Sequence, residues 1–94
     1  MIVGYRDRKT EAFARGDFVR AFQGFANQAG RRLAILDAAM SLDDLRALRS
    51  NRLEALSGDR HGQYSIRINT QWRICFDWPS GAPGPTNVEI TDYH

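Results

Sequence analysis

The 94 residues suffice for one domain with a modest hydrophobic core, and 43% apolar with 26% charged residues is ordinary for a globular chain. No apolar run approaches the roughly 18 residues that span a bilayer, and the apolar start is too short for a signal peptide. We therefore expect a cytoplasmic protein without a membrane segment. The single cysteine, Cys75, cannot form an internal disulfide and cannot build a zinc site alone.

The net charge is only +2, but the charges are unevenly distributed. Residues 1–35 carry seven basic and three acidic side chains, and residues 46–73 carry six basic and two acidic ones. Twelve of the thirteen basic residues are arginine, whose planar guanidinium suits bidentate contacts with phosphate. This pattern permits a basic face for RNA or an acidic partner, and arginine-rich codon usage explains it equally well.

The N-terminal half predicts one short strand and then helices. "MIVGY" is apolar and β-prone, and the residues after it predict a short helix that ends at Gly16. Asp17 is placed to cap a long helix that continues to residue 40, with Gly24 and Gly30 as points where it would break. "SLDDLRAL" predicts a further short helix with Ser41 as its N-cap. Apolar residues at helical spacing define the core face of the long helix: Phe18, Phe22, Phe25, Ala29, Leu33, Leu36 and Met40.

The C-terminal half predicts an antiparallel sheet. "NRLEAL" is strand-like, and "QYSIRIN" and "WRICFDW" alternate apolar with polar residues as half-buried strands do. A loop with all three prolines precedes a last strand, "VEITDY". The whole chain, residues 1–94, is therefore predicted to be one α+β domain, with N-terminal helices packed on one face of a small antiparallel β-sheet.

The strand alternation also predicts which residues occupy the second face of this sheet. If the apolar set faces the helices, the other face is exposed and polar. It is either the solvated side of a half-buried sheet or a surface that gathers arginines near the chain terminus. Its predicted members are Ser65, Arg67, Asn69, Arg73, Cys75, Glu89, Thr91 and Tyr93.

The block "RLEALSGDRHGQYSIRINTQWRICFDW", followed by a terminal "DYH", resembles the HigB branch of the RelE superfamily, the toxins of bacterial type II toxin–antitoxin systems. The resemblance covers nearly the whole chain. It implies a RelE-like fold and a ribosome-dependent messenger-RNA endonuclease that needs no metal or other cofactor. It also implies three kinds of partner: a cognate helix-turn-helix antitoxin, the ribosome with its transcript, and operator DNA reached only through the antitoxin.

The resemblance also implies site residues. The terminal trio of the family corresponds to Asp92, Tyr93 and His94, and the arginine of its "WRI" strand corresponds to Arg73. A histidine and a lysine of the best-described members fall on Glu54 and Ser57, so this chain departs from them at both positions.

Metal-free RNA cleavage needs a base for the 2′-hydroxyl, an acid for the departing 5′-oxygen, and cations for the developing charge. His94 can serve as base or acid, and the terminal carboxylate beside it favours the acid role. Tyr93 can donate a proton or stack on a base, and Asp92 can orient a neighbour or accept a hydrogen bond. Arg73 and Arg67 would stabilise phosphate charge.

Four positions in or near the "SGDRHG" turn remain open between a role in the site and none: Glu54, Ser57, Arg60 and His61. Glu54 is either the base for the 2′-hydroxyl or an ordinary edge-strand carboxylate. Ser57 removes one phosphate contact, which Arg60 or His61 would replace unless they are solvated loop residues. Two other functions also remain open: a ParE-like inhibitor of DNA gyrase on the same scaffold, and a degenerate toxin that serves as regulatory partner of its antitoxin.

Overall fold

A computed structural model describes residues 1–92, so Tyr93 and His94 lie outside the described residues. Its three α-helices are α1, Arg8–Ala14; α2, Ala26–Ala38; and α3, Leu42–Ala47. The Asp7 carboxylate caps α1 by accepting a hydrogen bond from the Thr10 backbone N–H at 2.8 Å. Ser41 caps α3 as predicted, because its hydroxyl accepts from the Asp44 N–H.

The predicted long helix is interrupted near Gly24. Residues Arg20–Phe25 form a 3₁₀-helix, and α2 begins only at Ala26, whereas Gly30 lies inside α2 without breaking it. The predicted cap was wrong, since the residue before the 3₁₀-helix is Val19 and Asp17 lies outside it. One face of this interrupted helix is nevertheless continuous enough to build the core.

The predicted core face holds at its centre and fails at its two ends. Phe18 is 75% exposed and Met40 is 83% exposed, because both lie beyond the helical segments whose period would turn them inward. The five residues between them are buried: Phe22, Phe25, Ala29, Leu33 and Leu36.

The sheet is an antiparallel meander in which the strands lie side by side in chain order. The strands are β1, Glu54–Ala55; β2, Tyr64–Arg67; β3, Arg73–Asp77; and β4, Thr86–Thr91. The predicted strand "NRLEAL" thus pairs at only two residues, because a 3₁₀-helix, Arg49–Asn51, takes up its start.

The first predicted strand, "MIVGY", is wrong as a strand and forms one parallel bridge, between Tyr5 and Val88 of β4. The Val3 N–H donates to the Pro85 carbonyl at 2.8 Å, and the Arg6 N–H donates to the Val88 carbonyl at 3.0 Å. Pro85 has no N–H to return, so this pairing cannot extend into a regular ladder.

The helices pack on one face of the sheet, which confirms the predicted α+β architecture. Ile66, Ile74 and Phe76 of the central strands are fully buried there. Trp72, at the entry to β3, stacks on Phe25 with ring centroids 4.7 Å apart. Within residues 1–92, the helices are all too short or too polar to cross a membrane.

Candidate functional site

The second face of the sheet carries the polar residues of β1 to β4. Strand register places Glu54, Ser65, Cys75 and Glu89 in one row across the sheet, and pairs Arg67 with Arg73 and Arg73 with Thr91 in the next. We call these seven residues the polar face. Six of the seven were assigned to one side by the alternation, and the pairing of β1 adds Glu54. That face is not uniformly exposed, because Ser65 and Cys75 are almost completely buried.

Arg73, at the start of β3, is held from three sides. Its Nε donates to the Ser65 hydroxyl at 2.8 Å, and its Nη2 donates to the Arg52 carbonyl at 3.1 Å. The same Nη2 lies 3.2 Å from a carboxylate oxygen of Glu54. The Arg73 side chain is only 19% exposed, so its guanidinium has a fixed orientation at the rim of the polar face.

Glu54 stands beside this guanidinium at the β1 edge of the sheet, and its side chain is 56% exposed. Together with Arg67 and Arg73 it lines a shallow open groove, whose other walls are Arg52 and Leu53. The structure therefore brings together one carboxylate and three arginines. Such a set can bind a phosphate diester and offers one group able to accept a proton.

Arg52 is a member of this groove that sequence reasoning missed. It ends the 3₁₀-helix in the left-handed conformation, with φ 46° and ψ 53°, and that turns its carbonyl toward Arg73. Left-handed backbone is unfavourable for a residue other than glycine, by roughly 1 kcal/mol or more. No pattern in "SNRLEAL" signals such a conformation at an arginine, so propensity and spacing could not have found it.

The turn that follows β1 is fastened to the polar face through Arg60. Its Nη1 donates to Gln63 and to the Glu89 carboxylate, both at 3.0 Å. Glu89, a second residue that sequence reasoning did not assign to the site, also faces Arg6 at 3.7 Å. Ser57 and His61 are exposed on this turn, and neither lines the groove around Arg73.

Cys75 lies beneath these charged side chains. Burial raises the pKa of its thiol to about 11, and Glu89 adds to this effect while Arg60 and Arg73 oppose it. The thiol therefore stays protonated near neutral pH and is a poor nucleophile. Among residues 1–92, no cluster of three or more histidine, cysteine, aspartate or glutamate side chains is arranged to hold a metal ion.

Asp92 is the last residue of the described chain and is exposed. Its carboxylate accepts a hydrogen bond from the Gln71 side chain at 2.9 Å, which ties it to the turn between β2 and β3. Because Thr91 pairs with Arg73, β4 ends at the same side of the sheet as Arg73 and Arg67. The predicted roles of Tyr93 and His94 fall outside the described residues.

Comparison with known proteins gives a family and two relatives. The family described as RelE-like toxin of type II toxin-antitoxin system HigB matches residues 5–94. Toxin HigB-1 of Vibrio cholerae serotype O1 is 37% identical over 95 residues, which cover 99% of this chain and 100% of that protein. Endoribonuclease HigB of Proteus vulgaris is 36% identical over 63 residues, which cover 67% of this chain and 65% of that protein.

Proposed function

The chain belongs to the HigB-like toxins of type II toxin–antitoxin systems, and from this premise we propose that it is an endoribonuclease that cuts messenger RNA on the ribosome. The observation that carries the proposal is the fixed guanidinium of Arg73, which lies beside the Glu54 carboxylate in an arginine-lined groove. The name of the Proteus vulgaris relative supports a ribonuclease activity.

The proposed reaction uses the RNA itself as the nucleophile. The 2′-oxygen forms a bond to the adjacent phosphorus, and the bond from phosphorus to the 5′-oxygen breaks. Glu54 takes the proton of the 2′-hydroxyl, and His94 gives a proton to the departing 5′-oxygen. Arg73 and Arg67 stabilise the charge that develops on the phosphate oxygens. The products are a 2′,3′-cyclic phosphate and a 5′-hydroxyl, and the scheme requires no metal.

The remaining predicted residues take supporting roles in this scheme. Tyr93 stacks on a base or donates a hydrogen bond, and Asp92 holds the end of β4 against the turn that carries Gln71. Arg60 anchors its turn through Glu89, so we assign it to the electrostatics of the RNA-facing surface. His61 and Ser57 lie further out and would contact only flanking RNA.

The proposed partners follow from the family and from this activity. A type II toxin is held inactive by a cognate antitoxin. We assign a helix-turn-helix antitoxin, which would bring the pair to operator DNA. The ribosome and its transcript are the other partners, and the cytoplasm is where the toxin would meet them.

The first test is cleavage of a transcript bound to purified ribosomes. Arg73→Ala should reduce the single-turnover rate by roughly 100- to 1,000-fold, as expected when a group that stabilises the transition state is lost. Arg46→Ala, which removes an exposed arginine of α3, is the matched control and should cut at the wild-type rate. Full cleavage by Arg73→Ala would refute the role of Arg73.

Ribosomes need Mg²⁺, so the metal-free scheme cannot be tested by adding a chelator. The chemical groups at the ends of the cleaved RNA test it instead. Attack by the 2′-hydroxyl leaves a cyclic phosphate and a 5′-hydroxyl, whereas a 5′-phosphate would contradict the scheme. If no transcript is cut, double-strand DNA breaks in cells would indicate a gyrase inhibitor. Growth without arrest would indicate a degenerate toxin, an alternative that the departure at Ser57 keeps open.

A further inference from the structure

A second groove adjoins the one that contains Arg73, and arginines from three different elements line it. Arg32 comes from α2, Arg52 from the end of the 3₁₀-helix Arg49–Asn51, and Arg67 from the end of β2. The other lining residues, among them Gln28 and Asn69, are uncharged. No carboxylate therefore lines this groove within residues 1–92, whereas Glu54 lies in the neighbouring one.

A buried amide holds Arg32 and the turn that carries Arg52 in place. Asn51 is fully buried, and its side-chain N–H donates to the Leu45 carbonyl at 3.0 Å. Its side-chain oxygen accepts from Arg32 Nη1 at 2.9 Å, and the same nitrogen lies 3.2 Å from the Ser50 hydroxyl. Asn51 thus fixes both the guanidinium of Arg32 and the turn that presents Arg52.

Most of the donors in this groove remain available to a ligand. A guanidinium carries five N–H donors. Within residues 1–92, Arg32 uses only Nη1, Arg67 uses only Nε toward the Asn69 carbonyl, and the Arg52 guanidinium has no partner. Three positive charges thus face one shallow space, and none of its described lining residues is acidic. An anion with several acceptor oxygens matches this arrangement.

We propose that Arg32, Arg52 and Arg67 form a phosphate cradle for an RNA backbone, next to the phosphate that is cut. The proposal rests on the proposed function, since RNA is the polyanion that an endoribonuclease meets. Arg52 and Arg67 line both grooves, and the Arg52 carbonyl accepts from Arg73. When the reactive phosphate of the transcript lies at Arg73, the cradle is therefore adjacent to it and is placed to hold either the next phosphate of the transcript or a phosphate of ribosomal RNA.

Arg52→Asn is the variant of choice, because asparagine tolerates the left-handed backbone and the guanidinium is lost. Arg31→Gln is the matched control, since it removes one charge from an exposed arginine of α2 that does not line the groove. Gln28→Glu, on an exposed helical position, places a carboxylate in the cradle and serves if Arg52→Asn does not fold.

Binding is measured with a short single-stranded RNA whose 2′-hydroxyls are methylated to prevent cutting, titrated at several salt concentrations. The logarithm of the affinity falls as the logarithm of the salt concentration rises. Arg52→Asn should make this slope less steep by about 0.7, the value for one lost phosphate contact to a single strand. Affinity at low salt should fall roughly 10-fold, and Gln28→Glu should weaken binding at least as much, while Arg31→Gln should match the wild type.

Ribosome binding distinguishes the two sources of phosphate. If the cradle holds the transcript, Arg52→Asn weakens binding to ribosomes that carry messenger RNA and not to empty ones. If it holds ribosomal RNA, both are weakened equally. The proposal would be overturned if Arg52→Asn and Gln28→Glu bound the methylated RNA and both kinds of ribosome with the affinity and the salt dependence of the wild type. The proposed nuclease activity would be unaffected by that result, because it is tested separately by the cleavage assay with Arg73→Ala. Conversely, a wild-type chain that binds RNA through the cradle but does not cut it would overturn the nuclease activity and leave the cradle in place.

Discussion

Glu54 and Arg73 form an ion pair of which one member is nearly covered and the other is more than half exposed. Partly exposed pairs of this kind add little to stability, typically about 0–1 kcal/mol. Arg73 is already fixed by Ser65 and by the Arg52 carbonyl. The contribution of Glu54 is therefore expected to be chemical: a carboxylate placed beside the bound phosphate.

Glu54→Gln tests that role. If Glu54 is the base, cleavage should fall by about 100-fold or more, because the amide of glutamine cannot take up the proton of the 2′-hydroxyl. The free energy of unfolding should change by less than about 0.5 kcal/mol, because the side chain is on the surface. The measurements are the single-turnover rate of cleavage and the free energy of unfolding in urea.

Asp59→Asn, at an exposed acid in the neighbouring turn, is the control for charge. Glu54→His introduces the histidine that the best-described family members have at this position, and it should support cleavage because imidazole can also act as a base. A Glu54→Gln variant that cuts as fast as the wild type would make Glu54 an ordinary edge-strand carboxylate.

Cys75 gives the fold a dependence on alkaline pH. Its pKa is raised to about 11, so between the ordinary thiol pKa and that value the unfolded chain releases a proton that the folded chain retains. Stability from this group is complete below the ordinary thiol pKa and is lost as pH rises, by at most about 1.4 kcal/mol per pH unit. Urea unfolding from pH 7.5 to 10.5 measures it.

Cys75→Ala separates this effect from the titration of other groups. The variant loses some packing at every pH, but its stability should fall less steeply above pH 8.5 than that of the wild type. Parallel curves for the two proteins would show that the thiol ionises equally well in the folded and unfolded chains.

Strand alternation and the family resemblance together predicted part of the candidate site. Alternation assigned Arg67 and Arg73 to one face, and the resemblance singled out Arg73 and Glu54. The pairing of Arg60 with Glu89 was not predictable, because it joins residues 29 positions apart through a turn whose shape no motif specifies. Arg52 was missed for a related reason, since its position depends on a single left-handed residue.

At the scale of secondary-structure elements, α1 and β4 are joined through a buried hydroxyl. The Ile90 N–H donates to Thr10 Oγ1 at 3.0 Å, and both residues are almost fully buried. Ile90 lies two residues before Asp92 and one before Thr91, which pairs with Arg73. The bond therefore fixes the end of β4 beside Arg73.

Thr10→Val keeps the shape of this side chain and removes its acceptor. The Ile90 N–H is then buried without a partner, which should destabilise the protein by about 1–3 kcal/mol. Urea unfolding measures the loss. Thr70→Val, on an exposed turn, should leave stability within about 0.5 kcal/mol. Equal stability of the Thr10→Val protein and the wild type would mean that water or a backbone shift satisfies this N–H.

The elements themselves were predictable where local pattern decides them. β2 and β3 follow from alternation, and α3 follows from its Ser41 cap. The first strand was wrong because its fate depends on Pro85, a residue of the distant partner segment that cannot donate. The break near Gly24 was anticipated, but the helical segment begins only at Arg20, and this leaves Phe18 exposed although periodicity alone assigned it to the core.

At the scale of the whole molecule, the two faces of the sheet have separate tasks. Helices cover one face and form the apolar core, while long charged side chains cover much of the other. Ser65 and Cys75 are consequently buried on the polar face, although neither belongs to the apolar core cluster on the other face. Arg73 thus contributes both to covering the sheet and to the candidate site.

The order of the strands has a consequence for how the chain folds. Each strand pairs with its neighbour in sequence, so the hairpins close short loops and can form early. The contact of α1 with β4 instead joins residues 80 positions apart, and closing so long a loop carries a larger entropic penalty. We therefore expect the contacts between α1 and β4 to form late in folding, after the hairpins of the sheet.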